Sequence, residues 1–186
     1  MTAQESFGGP QESRSDAVAA IGRQNLEMVQ NHFGEFSVPA GPARYRLEIQ
    51  THRPDPTLLP GPLTLSWTFR SRHTDSATPL PVMAVRYAPA LDAYNTAPAG
   101  RRFVVPLQIV TQTGAPRIRD LTIRISYDAG RTWRTTTVST DGSRRFLTLH
   151  HPATAHMVAL RAHIVDTDGN TTTQTQINAY ALRAPR

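Results

Sequence analysis

The sequence contains no cysteine and no lysine among its 186 residues. Without cysteine, neither a disulfide framework nor a thiolate metal site is available. No stretch reaches the roughly 18 to 20 apolar residues that a membrane-spanning helix needs. Residues 1–15 lack the basic start and the apolar run of a signal peptide. We therefore predict no membrane partner for the chain.

Arginine alone supplies the positive charge, and the net charge is +6 at pH 7. Such a balance often accompanies nucleic-acid binding. Here, however, arginine replaces lysine throughout, and alanine, threonine and proline are abundant, as codon bias in a high-GC genome would produce. We therefore predict no nucleic-acid partner. The length suffices to bury a hydrophobic core without covalent or metal crosslinks.

The first third of the chain changes character twice. Residues 1–15 are rich in Gly, Ser, Gln and Glu and are predicted to be a disordered tail. From Asp16 to about Phe33, apolar residues recur near helical spacing and predict a short helix. Apolar alternation over 45–49 and again over 63–69 predicts two strands that pair as a β-hairpin. Because an isolated hairpin is marginal in water, we interpret 16–78 as the remnant of a preceding β domain.

From residue 79 to 182, short alternating runs are separated by turn signals. Seven strands are predicted, over Val82–Tyr87, Phe103–Val110, Ile118–Tyr127, Thr132–Val138, Arg145–His150, Met157–Val165 and Thr171–Tyr180. This spacing is typical of an immunoglobulin-like or fibronectin III-like β-sandwich. The fold class predicted is thus all-β, with the hairpin and short helix added at the N-terminal side and a tail over 183–186.

Alternation also assigns the two faces of these strands. One inner face is predicted to hold Leu121, Ile123, Ile125 and Tyr127, and another Val158, Leu160, Ala162 and Ile164. The intervening Thr, Arg and His residues then face outward. Pro106 interrupts its strand and predicts an edge position or a bulge there.

The string SYDAGRTW matches the Asp-box pattern Ser-x-Asp-x-Gly-x-Thr-Trp. Its pattern residues are Ser126, Asp128, Gly130, Thr132 and Trp133. An aspartate at the start of a hairpin turn accepts hydrogen bonds from backbone N–H groups that the turn leaves unpaired. Glycine supplies a positive φ, and the tryptophan covers the hairpin base. We therefore interpret the stretch as a structural turn rather than a ligand-binding loop.

A second loop, DTDGN, has the composition of a calcium site, with Asp166, Asp168 and Asn170 as candidate ligands. An EF-hand loop also needs a bidentate Glu at its twelfth position, and the sequence has none there. The alternative is a hairpin turn in which Gly169 takes the special conformation. We favour the hairpin, and the three residues remain the candidate metal ligands.

No catalytic residue and no cofactor are predicted. His150, His151, His156 and His163 are close in sequence, but no carboxylate stands at a metal-site spacing beside them. They are interpreted as solvated residues at strand ends. No Gly-x-Ser-x-Gly elbow is present, and Ser143 lies in a predicted tight turn without an assignable base.

Most of the chain, from Val38 to Leu182, resembles the C-terminal, non-catalytic region of large secreted subtilisin-like (S8 family) serine proteases of Streptomyces and related actinobacteria. The residues that carry the resemblance are WTFRS at 67–71, Arg86–Tyr87, Asn95, the Asp-box, and Leu160–Arg161–Ala162 leading into Asp166 and Asn170. None of the motifs that bear a protease triad occurs here, so the resemblance assigns no catalytic residue. It implies an accessory module that stabilises or positions a protease, with an upstream protease domain or another protein as partner.

Two alternatives stay open. A carbohydrate or cell-wall binding module, with a polysaccharide partner, would use exposed aromatic residues, for which Tyr94 and Tyr180 are the candidates. A standalone interaction protein would use the unpaired strands within 45–70, together with the predicted N-terminal helix, to bind a partner by strand addition. The resemblance implies an extracellular protein, whereas a complete reading frame without a signal peptide would be cytoplasmic.

Overall fold

The structure, a computed structural model, describes residues 16–18, 24–25, 40–52, 59–112, 114–115 and 117–184. Within these ranges the chain forms strands and no helix, so the predicted all-β class is confirmed. The strands are β1 (Asp16–Val18), β2 (Gln24–Asn25), β3 (Ala43–His52), β4 (Leu63–Ser71), β5 (Met83–Tyr87), β6 (Thr96–Pro98), β7 (Arg102–Thr111), β8 (Ile118–Ser126), β9 (Arg134–Thr136), β10 (Val138–Asp141), β11 (Arg144–His150), β12 (Met157–Asp166) and β13 (Thr171–Arg183).

Two sheets face one another and form a β-sandwich. The large sheet has nine strands in the order β1-β3-β4-β13-β12-β8-β9, with β2 also on β3 and β6 also on β13. The small sheet has the order β10-β11-β7-β5. The long pairings in both sheets are antiparallel, while the short strands β1, β2 and β6 pair in parallel.

The hydrophobic core lies between the sheets. On β12, the predicted inner residues Val158, Leu160, Ala162 and Ile164 are all buried. On β8, Ile123 and Ile125 are buried, and Leu121, like Tyr127 just beyond the strand, packs against the core while half-exposed. Period-two alternation places these side chains on one face because successive residues of a strand point to opposite sides. The prediction of these inner faces is therefore confirmed for β12 and for the centre of β8.

The predicted hairpin forms, since β3 and β4 pair antiparallel from Ala43↔Ser71 to Thr51↔Leu63. It is continuous with the sandwich, because β4 also pairs with β13 along six residue pairs. A small apolar cluster of Tyr45, Trp67 and Phe69, joined by Leu80 and Val82, covers its inner side. The boundary predicted between residues 78 and 79 thus falls between two strands, β4 and β5, of one assembly.

The predicted helix is wrong where the structure describes its range. Asp16–Val18 and Gln24–Asn25 are strands that pair in parallel with β3. The free edge of β3 offers unpaired backbone groups, and pairing with them competes with a weak helical pattern. The rest of the range to Phe33, the predicted tail at 1–15 and the last two residues of the chain lie outside the described residues. Arg183, predicted to begin the C-terminal tail, belongs to β13.

Pro106 lies in neither an edge strand nor a bulge, which corrects the prediction. Strand β7 is central, between β11 and β5, and Pro106 is opposite Phe146 in a regular register. Its carbonyl accepts a hydrogen bond from the Ala88 N–H, 2.9 Å away. Ala88 is the first residue beyond β5, so the side of Pro106 that lacks an N–H faces the end of the neighbouring strand. A proline at this position costs little stability, because strand β5 has ended and offers no carbonyl that needs an N–H from residue 106.

The strand predicted over Thr132–Val138 is two strands in different sheets. β9 pairs with β8 in the large sheet, and β10 pairs with β11 in the small sheet. The chain crosses between the sheets at Thr137.

No helix in the described part of the chain has the length and apolar character to cross a membrane.

Candidate functional site

The outer face of the large sheet gathers the outward-facing polar residues of β8, β12 and β13. Arg124 lies directly opposite Arg161, which lies opposite Thr175. In the next row His163 lies between Thr122 and Thr173. An open groove runs among these side chains. We call this surface the arginine face; its residues are Thr122, Arg124, Arg161, His163, Thr173 and Thr175.

Arg161 is held in place from two directions. Its Nε donates to Thr175 Oγ1 at 3.0 Å, and its guanidinium carbon lies 4.2 Å from the centroid of the Trp133 ring. The first contact fixes Nε, and the second holds the guanidinium against the indole ring. Partial burial, and then the neighbouring Arg124, lower the pKa of Arg161. The terminal nitrogens of a well-oriented fork are left to donate to a ligand.

No carboxylate neutralises this pair of arginines within the described residues. The ion pairs there are Arg46 with Glu48 at 2.7 Å and Arg183 with Asp92 at 3.3 Å. Like charges directly opposite on adjacent strands are destabilising. Two adjacent guanidiniums without a counter-ion form a surface complementary to an oxyanion such as a carboxylate, sulfate or phosphate.

The SYDAGRTW turn positions Trp133 beneath Arg161. Asp128 Oδ1 accepts from the Thr132 N–H at 2.9 Å and from Ser126 Oγ at 2.7 Å, and its Oδ2 accepts from Thr132 Oγ1. Ser126 Oγ in turn accepts from the Gly130 N–H at 2.9 Å. Trp133 Nε1 donates to the Gly130 carbonyl at 2.8 Å, which fastens the indole to the turn. All five pattern residues therefore lie in one hydrogen-bonded turn between β8 and β9.

We expect Asp128→Ala to lower the denaturant midpoint of unfolding, because the turn's donors lose their acceptor. The same hydrogen bonds, led by that from the Thr132 hydroxyl, lower the pKa of Asp128. Its stabilisation is therefore present above the ordinary pKa of 3.8 and is lost as the pH falls below that value. Asp168→Ala is the control, because only the backbone N–H of Asp168 enters the hydrogen bonds of its turn. Equal midpoints for the two variants would contradict the structural role of Asp128.

Two other turns use the same arrangement, an aspartate paired with the side chain four residues later. Asp92 accepts from the N–H and the hydroxyl of Thr96. Asp166 accepts from the N–H of Asn170 at 2.8 Å and from its amide at 2.7 Å. The first of these turns was not predicted, although Asp followed by Thr at the fifth position was visible in DAYNT.

The DTDGN residues form the β12–β13 hairpin turn, with Gly169 at a φ of 82°. Both carboxylate oxygens of Asp166 accept hydrogen bonds within the turn, and Asn170 Oδ1 accepts from the Arg70 N–H at 3.3 Å. The side chains of the candidate calcium ligands Asp166 and Asn170 are thus paired with each other. In the described residues, no three His, Asp or Glu side chains are grouped so as to hold a metal ion.

His151 is buried, with 2% of its surface exposed, which corrects its prediction as a solvated residue. Its Nδ1 lies 3.0 Å from the hydroxyl of Tyr127, and its Nε2 lies 3.3 Å from the hydroxyl of Tyr180. A neutral imidazole donates through one nitrogen and accepts through the other, and a tyrosine hydroxyl can take either role, so both contacts can form with the uncharged ring. Burial, and secondarily His150, lower the pKa of His151 to about 4. Burial also raises the pKa of Tyr127 to about 12.

Protonation of His151 is expected to destabilise the fold in mildly acidic solution. The pKa falls from its ordinary value of 6.5 to about 4 on folding, so the unfolded chain binds the proton more tightly. The stabilisation is complete above pH 6.5 and is lost as the pH falls towards 4, with about 2 kcal/mol lost at pH 5. Urea unfolding at pH 7, 6 and 5 measures the effect.

His151→Gln should flatten this pH dependence, since the group that titrates is gone. His156→Gln, at an exposed position in the same loop, should keep the slope of the wild type. If His151→Gln retains that slope, another group is responsible.

The two aromatic residues proposed for carbohydrate binding have opposite surroundings. Tyr94 is 84% exposed, in the loop between β5 and β6. Tyr180 is 1% exposed and packs in the core against Phe103 and His151, so its assignment as a surface binding residue is wrong. Tyr180 has the same parity in β13 as the buried residues Thr172 and Gln174, so alternation along the strand agrees with its burial.

No family model, no curated protein and no solved structure matches this chain. Arguments about function therefore depend on the geometry of the described residues and on the resemblance that the sequence carries.

Proposed function

We propose that this chain is a non-catalytic accessory β-sandwich module that binds a partner through its arginine face. The observation that carries the proposal is the cross-strand pair Arg124 and Arg161, which has no carboxylate partner among the described residues. Two like charges directly opposite each other destabilise the sheet. An anionic ligand bound between the two arginines would neutralise their charges and remove this repulsion. The open groove beside the two arginines leaves room for such a ligand, and Trp133 holds the guanidinium of Arg161 at the groove.

The accessory role beside a serine protease domain is part of this proposal. Its support is the sequence resemblance over Val38 to Leu182, which also implies an extracellular setting. The turn residues that carry much of the resemblance, Asp128 and Asp166, make hydrogen bonds within the fold. These hydrogen bonds explain how the two aspartates stabilise the turns, and they give neither aspartate a role in a reaction.

Strand addition has less support than binding at the arginine face. That alternative requires unpaired strands within 45–70, whereas β4 pairs with β13 on one side and β3 on the other. The outer edge of β3 pairs with β1 over Arg44–Arg46 and with β2 over Thr51–His52, so among the described residues only 47–50 lack a partner strand there. Strand β5 forms one edge of the small sheet, and a side chain of the large sheet already bonds to that edge. Trp67 Nε1 donates to the Met83 carbonyl at 2.6 Å.

Titration with sodium sulfate, followed by the NMR resonances of the arginine side chains, tests the binding site. We expect saturable shifts at Arg124, at Arg161 and at the indole N–H of the neighbouring Trp133, and the Trp133 shift should vanish in the double variant Arg124→Gln and Arg161→Gln. The control is the double variant Arg102→Gln and Arg144→Gln, which removes two exposed arginines of the small sheet. Equal, non-saturating shifts at all exposed arginines would overturn the proposal.

The absence of catalysis is tested separately with a fluorophosphonate probe. The folded chain should show no stoichiometric labelling of a serine, and it should cleave neither peptides nor esters. Labelling of one defined serine together with turnover would show that the chain is an enzyme.

A further inference from the structure

We propose that the ligand of the arginine face is an acidic polysaccharide, whose sugars carry carboxylate or sulfate groups. The inference rests on the proposed function and names its ligand class. Three observations carry it. Two arginines lie opposite each other and Arg161 is held by Thr175 and Trp133; a strip of hydroxyl groups continues from them; and on the described part of this face the aromatic ring is that of Trp133, which Arg161 covers.

The guanidinium pair recognises one oxyanion. Arg161 uses Nε for Thr175 and places its guanidinium against the Trp133 ring, and neither contact uses its terminal nitrogens as donors. Such a fork donates two parallel hydrogen bonds to a carboxylate or a sulfate. Arg124, directly opposite on β8, adds a second positive charge to the same anion or to the next one along a polymer.

Hydroxyl groups extend the site across the sheet. Thr175 lies opposite Thr64, and Thr173 lies opposite Ser66, so the two rows of the arginine face continue onto β4. Four strands, from β8 to β4, span about 15 Å at the usual spacing between strands. Thr175 accepts a hydrogen bond from Arg161 and Ser66 accepts one from Arg46. Their own O–H groups are left to donate, which suits the hydroxyl and ring oxygens of sugars.

Nucleic acid fits this surface less well. Single strands are bound by stacking their bases on aromatic side chains. On the described part of this face the aromatic ring is that of Trp133, and Arg161 already covers it. Duplexes are bound through many phosphate contacts, whereas the arginine face has two arginines. A second cross-strand pair, Arg44 and Arg70, lies at another corner of the same side of the sheet, with Glu48 and Asp120 in the rows between the two pairs.

Binding measurements on the intact chain test the inference. The probes are polygalacturonate, dextran sulfate, uncharged dextran, and single- and double-stranded DNA oligonucleotides, each at low and at raised salt. We expect binding to one or both acidic polysaccharides, weakening with salt, and no binding to dextran. The two acidic probes distinguish a carboxylate source from a sulfate source.

Variants locate the interaction. Arg124→Gln with Arg161→Gln should weaken binding about tenfold or more, since charge-assisted hydrogen bonds are lost, and Arg102→Gln with Arg144→Gln should not. Arg161→Lys keeps the charge but loses the fork, so an intermediate loss is expected from a variant with little reason to unfold. Thermal melts establish that each variant is folded.

Each contrary outcome has a distinct meaning. Tighter binding to DNA, equal binding to uncharged dextran, or no binding to either acidic polysaccharide overturns the inference. If sulfate still shifts Arg124 and Arg161 in that last case, the proposed function survives without this ligand class. If sulfate leaves both unchanged, the proposed function fails as well.

Discussion

Gly130→Val is expected to destabilise the protein by about 3 to 5 kcal/mol, from backbone strain and overpacking together. Gly130 has a φ of +85°, a region that a β-branched residue rarely adopts. A Cβ at this position would lie 2.8 Å from Ile177 Cδ1 and 3.2 Å from Trp133 Cζ2. The end of the half-exposed Ile177 side chain can turn aside, whereas the indole of Trp133 is fastened to the turn by its hydrogen bond to the Gly130 carbonyl and cannot shift without disturbing the site. Urea denaturation monitored by circular dichroism measures the loss.

Gly142→Val is the matched control. Gly142 also has a positive φ, +58°, but a Cβ there would meet nothing within 4 Å. It should therefore show the strain alone, about 1 to 3 kcal/mol. Sulfate binding measured on the folded fraction of Gly130→Val should also weaken, because a displaced Trp133 no longer orients Arg161. Equal destabilisation by the two substitutions would mean that the Ile177 and Trp133 contacts contribute nothing.

Gln174→Ala is expected to cost about 2 to 5 kcal/mol, because it leaves two buried backbone groups without partners. Gln174 is buried and reaches from β13 in the large sheet to β5 in the small one. Its Oε1 accepts from the Val85 N–H at 2.8 Å, and its Nε2 donates to the Val85 carbonyl at 2.8 Å. The side-chain amide thus takes the place of a further strand at the edge of β5.

Gln174→Glu tests the geometry with little change of volume. A carboxylate accepts from the Val85 N–H but cannot donate to its carbonyl, and the buried charge adds a cost of its own. The variant should become more stable as the pH falls and the carboxyl group is protonated, which restores a donor. Gln176→Ala is a control in the same strand, because the Gln176 amide donates to the carbonyl of Gly61 at the half-buried periphery. A stable Gln174→Ala protein would show that the edge of β5 is satisfied in another way.

Local patterns predicted most of the strands correctly. Alternation of apolar and polar residues placed Val158 to Ile164 on a buried face, and it placed Arg124, Arg161 and His163 on the opposite face. These predictions succeed because side-chain direction in a regular strand depends only on the parity of the residue number. The turn at Asp128 was equally readable, since its donors and acceptors lie within a few residues of one another.

Parity gives no information about residues outside strands or about which distant segments cover a side chain. Tyr180 was assigned to the surface as an exposed aromatic, although it has the same parity in β13 as the buried Thr172 and Gln174. His151 lies just beyond β11 and is buried because Tyr127, Phe103 and Tyr180 arrive from three other strands. In the sequence, Gln174 is one of several polar residues in a threonine-rich strand. Its hydrogen bonds to the backbone of Val85 form only because the fold brings β5 next to it.

The sequence by itself thus determined the strands, the hydrogen-bonded turns and the side of each strand that faces water, because these depend on neighbours in the chain. Only the tertiary structure decided that Arg124 and Arg161 lie side by side, with Trp133 against Arg161. That placement requires β8, β12 and β13 to be adjacent in one register and β9 to return to the same sheet. Strand order and register are set by how the two inner faces pack together, a property of the whole chain that no local pattern contains.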